Sequence, residues 1–499
     1  MHTSFARVAV LAAALWWGHA AAATRAPTEA VTPQSTALQA AKLALGADTV
    51  KSLEFSAVGT RFTFSQPIWT GFPNSPARTI KSYRADFDFT TGGVRVESEL
   101  TTAATAGVYV GDQHTIESFA DQYAWSEQTP PLGRGGDATI LKAQPQPDAV
   151  DDRTFWLWAA TPQGVLKAAS GGEIHKISGG VEVSFDIGRH YHATARINDL
   201  NQVESVRTLV ADPVLGDTIL QVNYAGYRDF DGLQFPSLIT EFQAGEPLVQ
   251  LAVTQVKANP ELSIKVPDSV KTYSGPTPLS TIKSRQIANG VYWITGVAHH
   301  SMAVDMGRYI IVVEAPLAEE RSLAVIAEAK RLMPGKPIRY VVNTHVHFDH
   351  SGGLRTYVAQ GATVITQAAN IDFYKKAWAR PRSLEPDLLS RSRRRPRFLA
   401  VGDQATVKGS NGRVLELVHL QGNPHDESSL VAWLPAERIL FQSDIIDGPG
   451  EASSPVVANF HDNLRRLNIE PLQIVGGHGS RILTGADLRP AAATEGPTP

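Results

Sequence analysis

The chain contains no cysteine. That excludes disulfides, thiolate metal sites and cysteine nucleophiles. Any metal must be held by His, Asp or Glu. Neither charge is in excess: 46 Lys and Arg stand against 49 Asp and Glu, so the net charge is 46 − 49 = −3. A nucleic-acid binder would carry a broad basic excess, so nucleic acid is not an expected partner. No segment is long and apolar enough for a membrane helix. Val8 to Trp17 is apolar but short, with Arg7 before it and Ala20, Ala21, Ala22 and Ala23 after the apolar stretch. That order is the pattern of a secretory signal with a small-residue cleavage zone. The expectation is a signal peptide over 1–23 and a mature protein that is periplasmic or secreted.

At 499 residues, with 43% apolar and 19% charged, the chain has material for two folded domains. Residues 24–37 are rich in Ala, Thr and Pro and read as a linker. Residues 38–275 read as a β-rich antiparallel domain. Tyr83 to Phe89 and Val181 to Phe185 alternate in the strand period, and Thr218 to Val222 and Val249 to Val256 continue it. Glycine pairs at Gly92-Gly93, Gly171-Gly172 and Gly179-Gly180 mark turns between such runs. The aromatics there, Trp69, Trp125, Trp156, Trp158, Tyr191, Tyr224, Tyr227 and Phe230, read as ordinary core.

Prolines crowd Ala258 to Pro278 and mark a boundary. Afterwards strands alternate with helices, which indicates an α/β layer architecture over 280–488. Tyr309 to Val313, Arg339 to Asn343 and Thr363 to Thr366 are expected strands. Glu319 to Met333 is an expected helix with Leu323, Ile326 and Ala327 on its apolar face. Residues 489–499 read as a disordered tail. The basic run Arg391 to Arg397 could meet an anionic ligand, but a solvated loop is the commoner use of such a run.

The chemistry concentrates in Thr344-His345-Val346-His347-Phe348-Asp349-His350-Ser351-Gly352-Gly353, directly after an expected strand. His345 and His347 are two apart, so in extended backbone they project the same way and can reach one metal. Asp349 and His350 lie further round the turn and can face a second. Gly352-Gly353 permits a tight turn. One carboxylate among imidazoles suits zinc, with iron or manganese still open.

His-x-His-x-Asp-His resembles the signature of the metallo-β-lactamase superfamily. Three further motifs resemble its remaining ligands, in order: His425 in Gly422 to Asp426, Asp444 after the expected strand Arg438 to Gln442, and His478 after Leu472 to Val475. The resemblance implies an αββα sandwich. It implies that His345, His347 and His425 hold metal one, that Asp349, His350 and His478 hold metal two, and that Asp444 bridges them. It also implies two zinc ions, a hydroxide between them as nucleophile, and Asp349 as the catalytic carboxylate that orients it. The substrate would be a small molecule: an ester, lactone, thioester or amide. Many members carry Asp near the end of an early strand, where this chain has Glu314. With Asp444 and without cysteine, the chain resembles the lactonase, glyoxalase II and phosphodiesterase branches more than the true zinc β-lactamases.

Two other readings compete. One is an iron-dependent dioxygenase or oxidoreductase on the same ligands. The other is a periplasmic binding protein with a vestigial site. Gly232 to Pro236 and the strands around it resemble periplasmic half-barrels that carry lipoproteins or lipids. His299 and His300 are candidates for substrate contact, though a polar turn pair is the commoner reading. His419 is expected to pack. His461, His114, His175, His190 and His192 are given no role.

Overall fold

The computed structural model describes residues 33–67, 74–101, 112–128, 142–448 and 454–488. The expected signal at 1–23 and tail at 489–499 lie outside them. The stretch read as a linker is shorter than expected, because the helix Pro33–Ala44 begins inside it. That helix seats Leu38 and Ala41, with Leu45 just beyond it, in the adjoining core.

The strands between Ser52 and Ala258 form one antiparallel sheet of thirteen. The chain steps outward from the centre to one edge, crosses, and steps back inward from the other edge. Its first strand, Ser52–Phe64, therefore pairs with its last, Glu246–Ala258. The strand period is visible in burial: Val181, Val183, Phe185 and Ile187 face the core and their neighbours do not. The crossing between edges is helical, over Val150–Ala159 and Pro162–Ala168. Phe155, Leu157, Val165 and Leu166 from these helices share one core with the strands. Thr161 caps the second helix by accepting from the Gly164 N–H.

The rest is a two-sheet sandwich. A seven-stranded sheet spans Ile282 to Val401 and a five-stranded sheet spans Gln404 to Gly476. The inner faces meet over residues such as Trp293, Val304, Ile311, Leu417, Ala432 and Phe441. Helices Glu319–Leu332, Leu354–Ala359 and Asn370–Trp378 cover the outer face of the first sheet. Helix Pro455–Arg466 covers the second. This is the αββα arrangement that the sequence implied. The helix at 319 is rotated from its expected face. It buries Val325, Ile326 and Ala329, whereas Leu323 and Ala327 are exposed, being an i, i+4 pair on the far side.

Strands Ile310–Val313, Ile338–Val342 and Thr363–Gln367 run parallel. So do Ile439–Gln442 and Gln473–Gly476 in the other sheet. Loops leaving the carboxyl ends of parallel strands are where α/β folds place their sites. The basic side chains of Arg391 to Arg397 are exposed, as a solvated loop requires. Among the described residues no helix is long and apolar enough to cross a membrane.

The first sheet also holds a half-buried carboxyl, Glu241. A small cavity of about 70 Å3 is lined by Phe55, Tyr83, Phe87, Trp156 and Glu241. Burial pushes the Glu241 carboxyl up to about 7, against the opposing pull of Arg61. The folded protein therefore holds this proton more tightly than the unfolded chain does, and stability falls as pH rises from 4.5 to about 7. Glu241→Gln removes that loss. In urea titrations its gain in unfolding free energy over wild type should be larger at pH 8 than at pH 5. A gain that does not change with pH would count against the assignment.

Candidate metal centre

Strand Ile338–Val342 ends at Val342, and residues 343–347, with a bend at His345, lead into the short helix Phe348–Ser351. His345 and His347 project together, their rings 4.4 Å apart. His350 follows on the first turn of the helix. Gly352 and Gly353 are required by close packing, not by the backbone angles expected of a tight turn. A Cβ on Gly352 would stand 1.9 Å from the Leu317 carbonyl oxygen, and one on Gly353 would stand 1.9 Å from Ser322 Oγ.

The other sheet brings its residues to the same edge. His425 precedes Leu430–Leu434, Asp444 follows Ile439–Gln442, and His478 follows Gln473–Gly476. All seven residues assigned by resemblance converge. They fall into two clusters, His345, His347, His425 and Asp444 in one and Asp349, His350 and His478 in the other, where His299 joins them as an eighth residue.

Asp444 lies between them. Its Oδ2 is 3.2 Å from His425 Nε2 and 3.5 Å from His345 Nε2. Its Oδ1 is 3.0 Å from His350 Nε2 and 3.2 Å from His478 Nε2. One oxygen therefore serves each cluster. Within the clusters imidazole nitrogens face one another: His345 Nε2 is 3.3 Å from His425 Nε2, and His350 Nε2 is 3.1 Å from His478 Nε2. His350 and His478 donate their Nδ1 protons outward, to Glu314 Oε2 and the Ala298 carbonyl, so in the neutral rings the facing Nε2 atoms are two bare lone pairs. Two nitrogens each about 2.0–2.1 Å from one zinc would stand about 3.3 Å apart. His347 Nδ1 is buried without a hydrogen-bond partner. Buried polar atoms left this way need an explanation, and a cation supplies it. The residues present fit two divalent metals.

Negative charge is concentrated here: burial lowers the His350 imidazole, yet Asp444 and Asp349 hold it well above its ordinary value. Burial opposes the charge on Asp444, yet His350 and the hydrogen bonds of His345, His350 and His425 hold its carboxyl well below the usual carboxylate range. Burial likewise works against the Asp349 carboxylate. His350 and hydrogen bonds with His299 and His350 outweigh it and keep that group ionised. Burial, then His345 and His425, push the His347 imidazole well below its ordinary value, toward the neutral form that a metal ligand needs.

The far sides of the imidazoles are also held. His350 Nδ1 meets Glu314 Oε2 at 2.6 Å and Ser443 Oγ at 2.9 Å. His478 Nδ1 meets the Ala298 carbonyl at 2.9 Å, and His345 Nδ1 meets Thr344 Oγ1 at 3.0 Å. Such partners fix ring orientation and the nitrogen left for the metal. Glu314 is fully buried and also accepts the Thr344 N–H at 3.0 Å. The glutamate that departs from the usual Asp is thus a support for the ligand loop.

The two substrate candidates separate. His299 enters the second cluster. Its Nε2 is 3.2 Å from Asp349 Oδ2, and its ring centroid is 4.2 Å from that of His478. His300 turns away: its Nε2 donates to the Gly479 carbonyl at 2.7 Å and its Nδ1 accepts the Gly296 N–H at 3.3 Å. Both ring nitrogens are taken by backbone, so His300 is a pin for the loop and has none left for a substrate. Sequence reading missed Thr344, Ser443 and the Ala298 carbonyl as supports. Hydroxyls and carbonyls are too common to mark themselves, and only proximity reveals them.

A family model described as the metallo-β-lactamase superfamily matches residues 294–473. The Caenorhabditis elegans protein named beta-lactamase-like protein 2 homolog is 31% identical over 149 residues, 29% of this chain. The chain spans 43% of the length of that relative. Among solved structures, a metallo-β-lactamase from Pontibacter korlensis is 18% identical over 42% of this chain and 95% of its own, with a TM-score of 0.31. The rubredoxin oxygen:oxidoreductase of Desulfovibrio gigas is 15% identical over 41% and 58%, with a TM-score of 0.34.

Glu314 generates a prediction. Glu314→Gln keeps the volume but replaces the carboxylate facing His350 with an amide. Affinity for the second metal should fall about 10- to 100-fold, measured by competition with a chromophoric chelator. Unchanged affinity would refute the supporting role. The C-terminal region of this chain, from residue 294 to 473, matches the metallo-β-lactamase superfamily, and the thirteen-stranded sheet precedes that match.

Proposed function

We propose that the protein is a dinuclear metal-dependent hydrolase, with zinc as the preferred metal, acting on a small ester, lactone, thioester or amide. His345, His347 and His425 would hold one metal, and Asp349, His350 and His478 the other, with Asp444 shared. The observation that carries the reading is the position of Asp444, one oxygen toward each cluster. The fold with this ligand set supports a metal-dependent enzyme.

When bound, paired divalent metals supply Lewis acidity and a water whose pKa is lowered toward about 7. The chain's own residues do the rest. Asp349 stays ionised and is aimed at the cluster, so it can accept a hydrogen bond from the attacking water and orient it. Asp444 keeps the two clusters in fixed register. Burial of the histidines excludes bulk water and strengthens each polar contact there. The chain has no cysteine, and Ser443 Oγ is held on the far side of His350, so the nucleophile of this scheme is water.

Metal content is the direct test. Protein purified without chelator or added metal should carry about two zinc ions per chain and cleave members of an ester, lactone, thioester and amide panel. Iron in their place, with oxygen consumption, would replace hydrolysis by the oxidoreductase reading. Absence of tightly bound metal would favour a binding protein. Asp444→Ala should abolish turnover while leaving the circular dichroism spectrum nearly unchanged. Retained turnover would remove Asp444 from its shared position.

A further inference from the structure

The strand Ser52–Phe64 belongs to the first sheet, yet the residues just beyond it reach the metal centre. The Phe64 ring packs edge-on against Phe348, centroids 5.7 Å apart. Ser65 takes a positive φ of 74° and turns its carbonyl to accept the Phe348 N–H at 3.1 Å. Gln66 Nε2 donates to Asp349 Oδ1 at 2.8 Å. The Pro67 carbonyl accepts from His347 Nε2 at 3.1 Å. Three successive residues thus touch the ligand loop, roughly 280 positions away in sequence.

The atoms they engage are the ones a metal does not need. His347 turns Nδ1 toward Asp444 Oδ2, 4.0 Å away, and that nitrogen is buried without a partner. Its Nε2 is therefore the outer nitrogen, and the Pro67 carbonyl fixes the proton there. Asp349 turns Oδ2 toward His350 and His299, at 3.5 and 3.2 Å. Its Oδ1 is therefore the outer oxygen, and Gln66 holds it. One ligand of each cluster is steadied by the same short segment. The sheet is seated at a second place as well: the Arg382 guanidinium donates to the carbonyls of Asp212, Pro213 and Val214 at 3.1, 3.0 and 2.9 Å. The segment is thus carried by a docked body.

We propose that the first sheet completes the dinuclear centre, with Gln66 as a positioning residue for Asp349 and the Pro67 carbonyl as the group that sets the His347 tautomer. This rests on the dinuclear reading above. The physical reason is that a carboxylate with one free oxygen can rotate about its bond to Cβ, and an amide donor on that oxygen stops it. Partners of this kind change metal affinity by about 10- to 100-fold. The consequence is that affinity at the second site depends on the N-terminal region, which the superfamily match does not include.

Cobalt(II) is the probe, because its visible bands report ligand geometry. The full-length protein, stripped and titrated with cobalt(II), is compared with Gln66→Ala and with Gln66→Glu, which keeps the volume but removes the donor. Gln66 is half-buried, so both changes suit the fold, and thermal unfolding checks that. The expected result is an unchanged first equivalent and a second equivalent weakened about 10-fold or more, with altered visible bands, in both variants. Wild type binding two equivalents, with both variants matching it in affinity and spectrum, would overturn the positioning role and leave the dinuclear reading standing. Wild type binding fewer than two would overturn the dinuclear reading and this proposal with it.

Discussion

Six histidines and two aspartates crowd one edge of two sheets, several of them fully buried. The Nε2 atoms of His350 and His478 face each other at 3.1 Å with their protons on the far nitrogens, so that neutral rings would set lone pair against lone pair. The carboxylates among them are held ionised against burial. Buried charge is tolerated only when paired. Within the chain the carboxylates are met only by imidazoles that must take up a proton to do so, and a bound cation would take that part. The sandwich can be understood as a frame for that unbalanced cluster, because each ligand is delivered by a strand end or by the loop beside one.

The frame explains which parts of the fold are rigid. Parallel strands put Glu314, the His345 to His350 loop, Asp444 and His478 at one rim. The inner faces of both sheets pack on each other, so the two halves of the ligand set cannot drift apart without opening a shared core. Asp444 joins the clusters across that seam. Its position is fixed locally too, since the Gln442 side chain accepts from Ile445 N and donates to the Ile446 carbonyl, tying the loop on both sides of Asp444.

The legible part of this molecule was its local part. Alternation marked Val181 to Phe185 as a strand, and spacing marked His345 and His347 as partners, because period-two geometry is written in neighbouring residues. Resemblance then supplied His425, Asp444 and His478. What stayed hidden is what depends on long-range docking. Gln66 and Pro67 carry no motif, and nothing near them says which loop they meet. His299 and His300 show the same limit from the other side. Adjacent and identical in type, they point opposite ways along a strand start, and only the fold tells which nitrogens are free. The rotated face of the helix at 319 has the same cause, since Leu323 and Ala327 are apolar enough to suggest a core that packs elsewhere.

Glu314 shows how these levels meet in one residue. It ends a parallel strand with φ at 75°, a conformation that costs a bulky side chain about 1–3 kcal/mol. That strain persists because the surroundings fix it. The Glu314 N–H donates to Val342, its own carbonyl accepts from Ser301 Oγ, and its carboxylate spans Thr344 N and His350 Nδ1, with Ser443 Oγ 3.4 Å away. An aspartate is one methylene shorter, and from this backbone it could not keep both Thr344 and His350 without drawing the strands together. The glutamate therefore belongs with the left-handed backbone: the turn aims a longer side chain, and the longer side chain reaches the ligand loop and the opposite sheet at once.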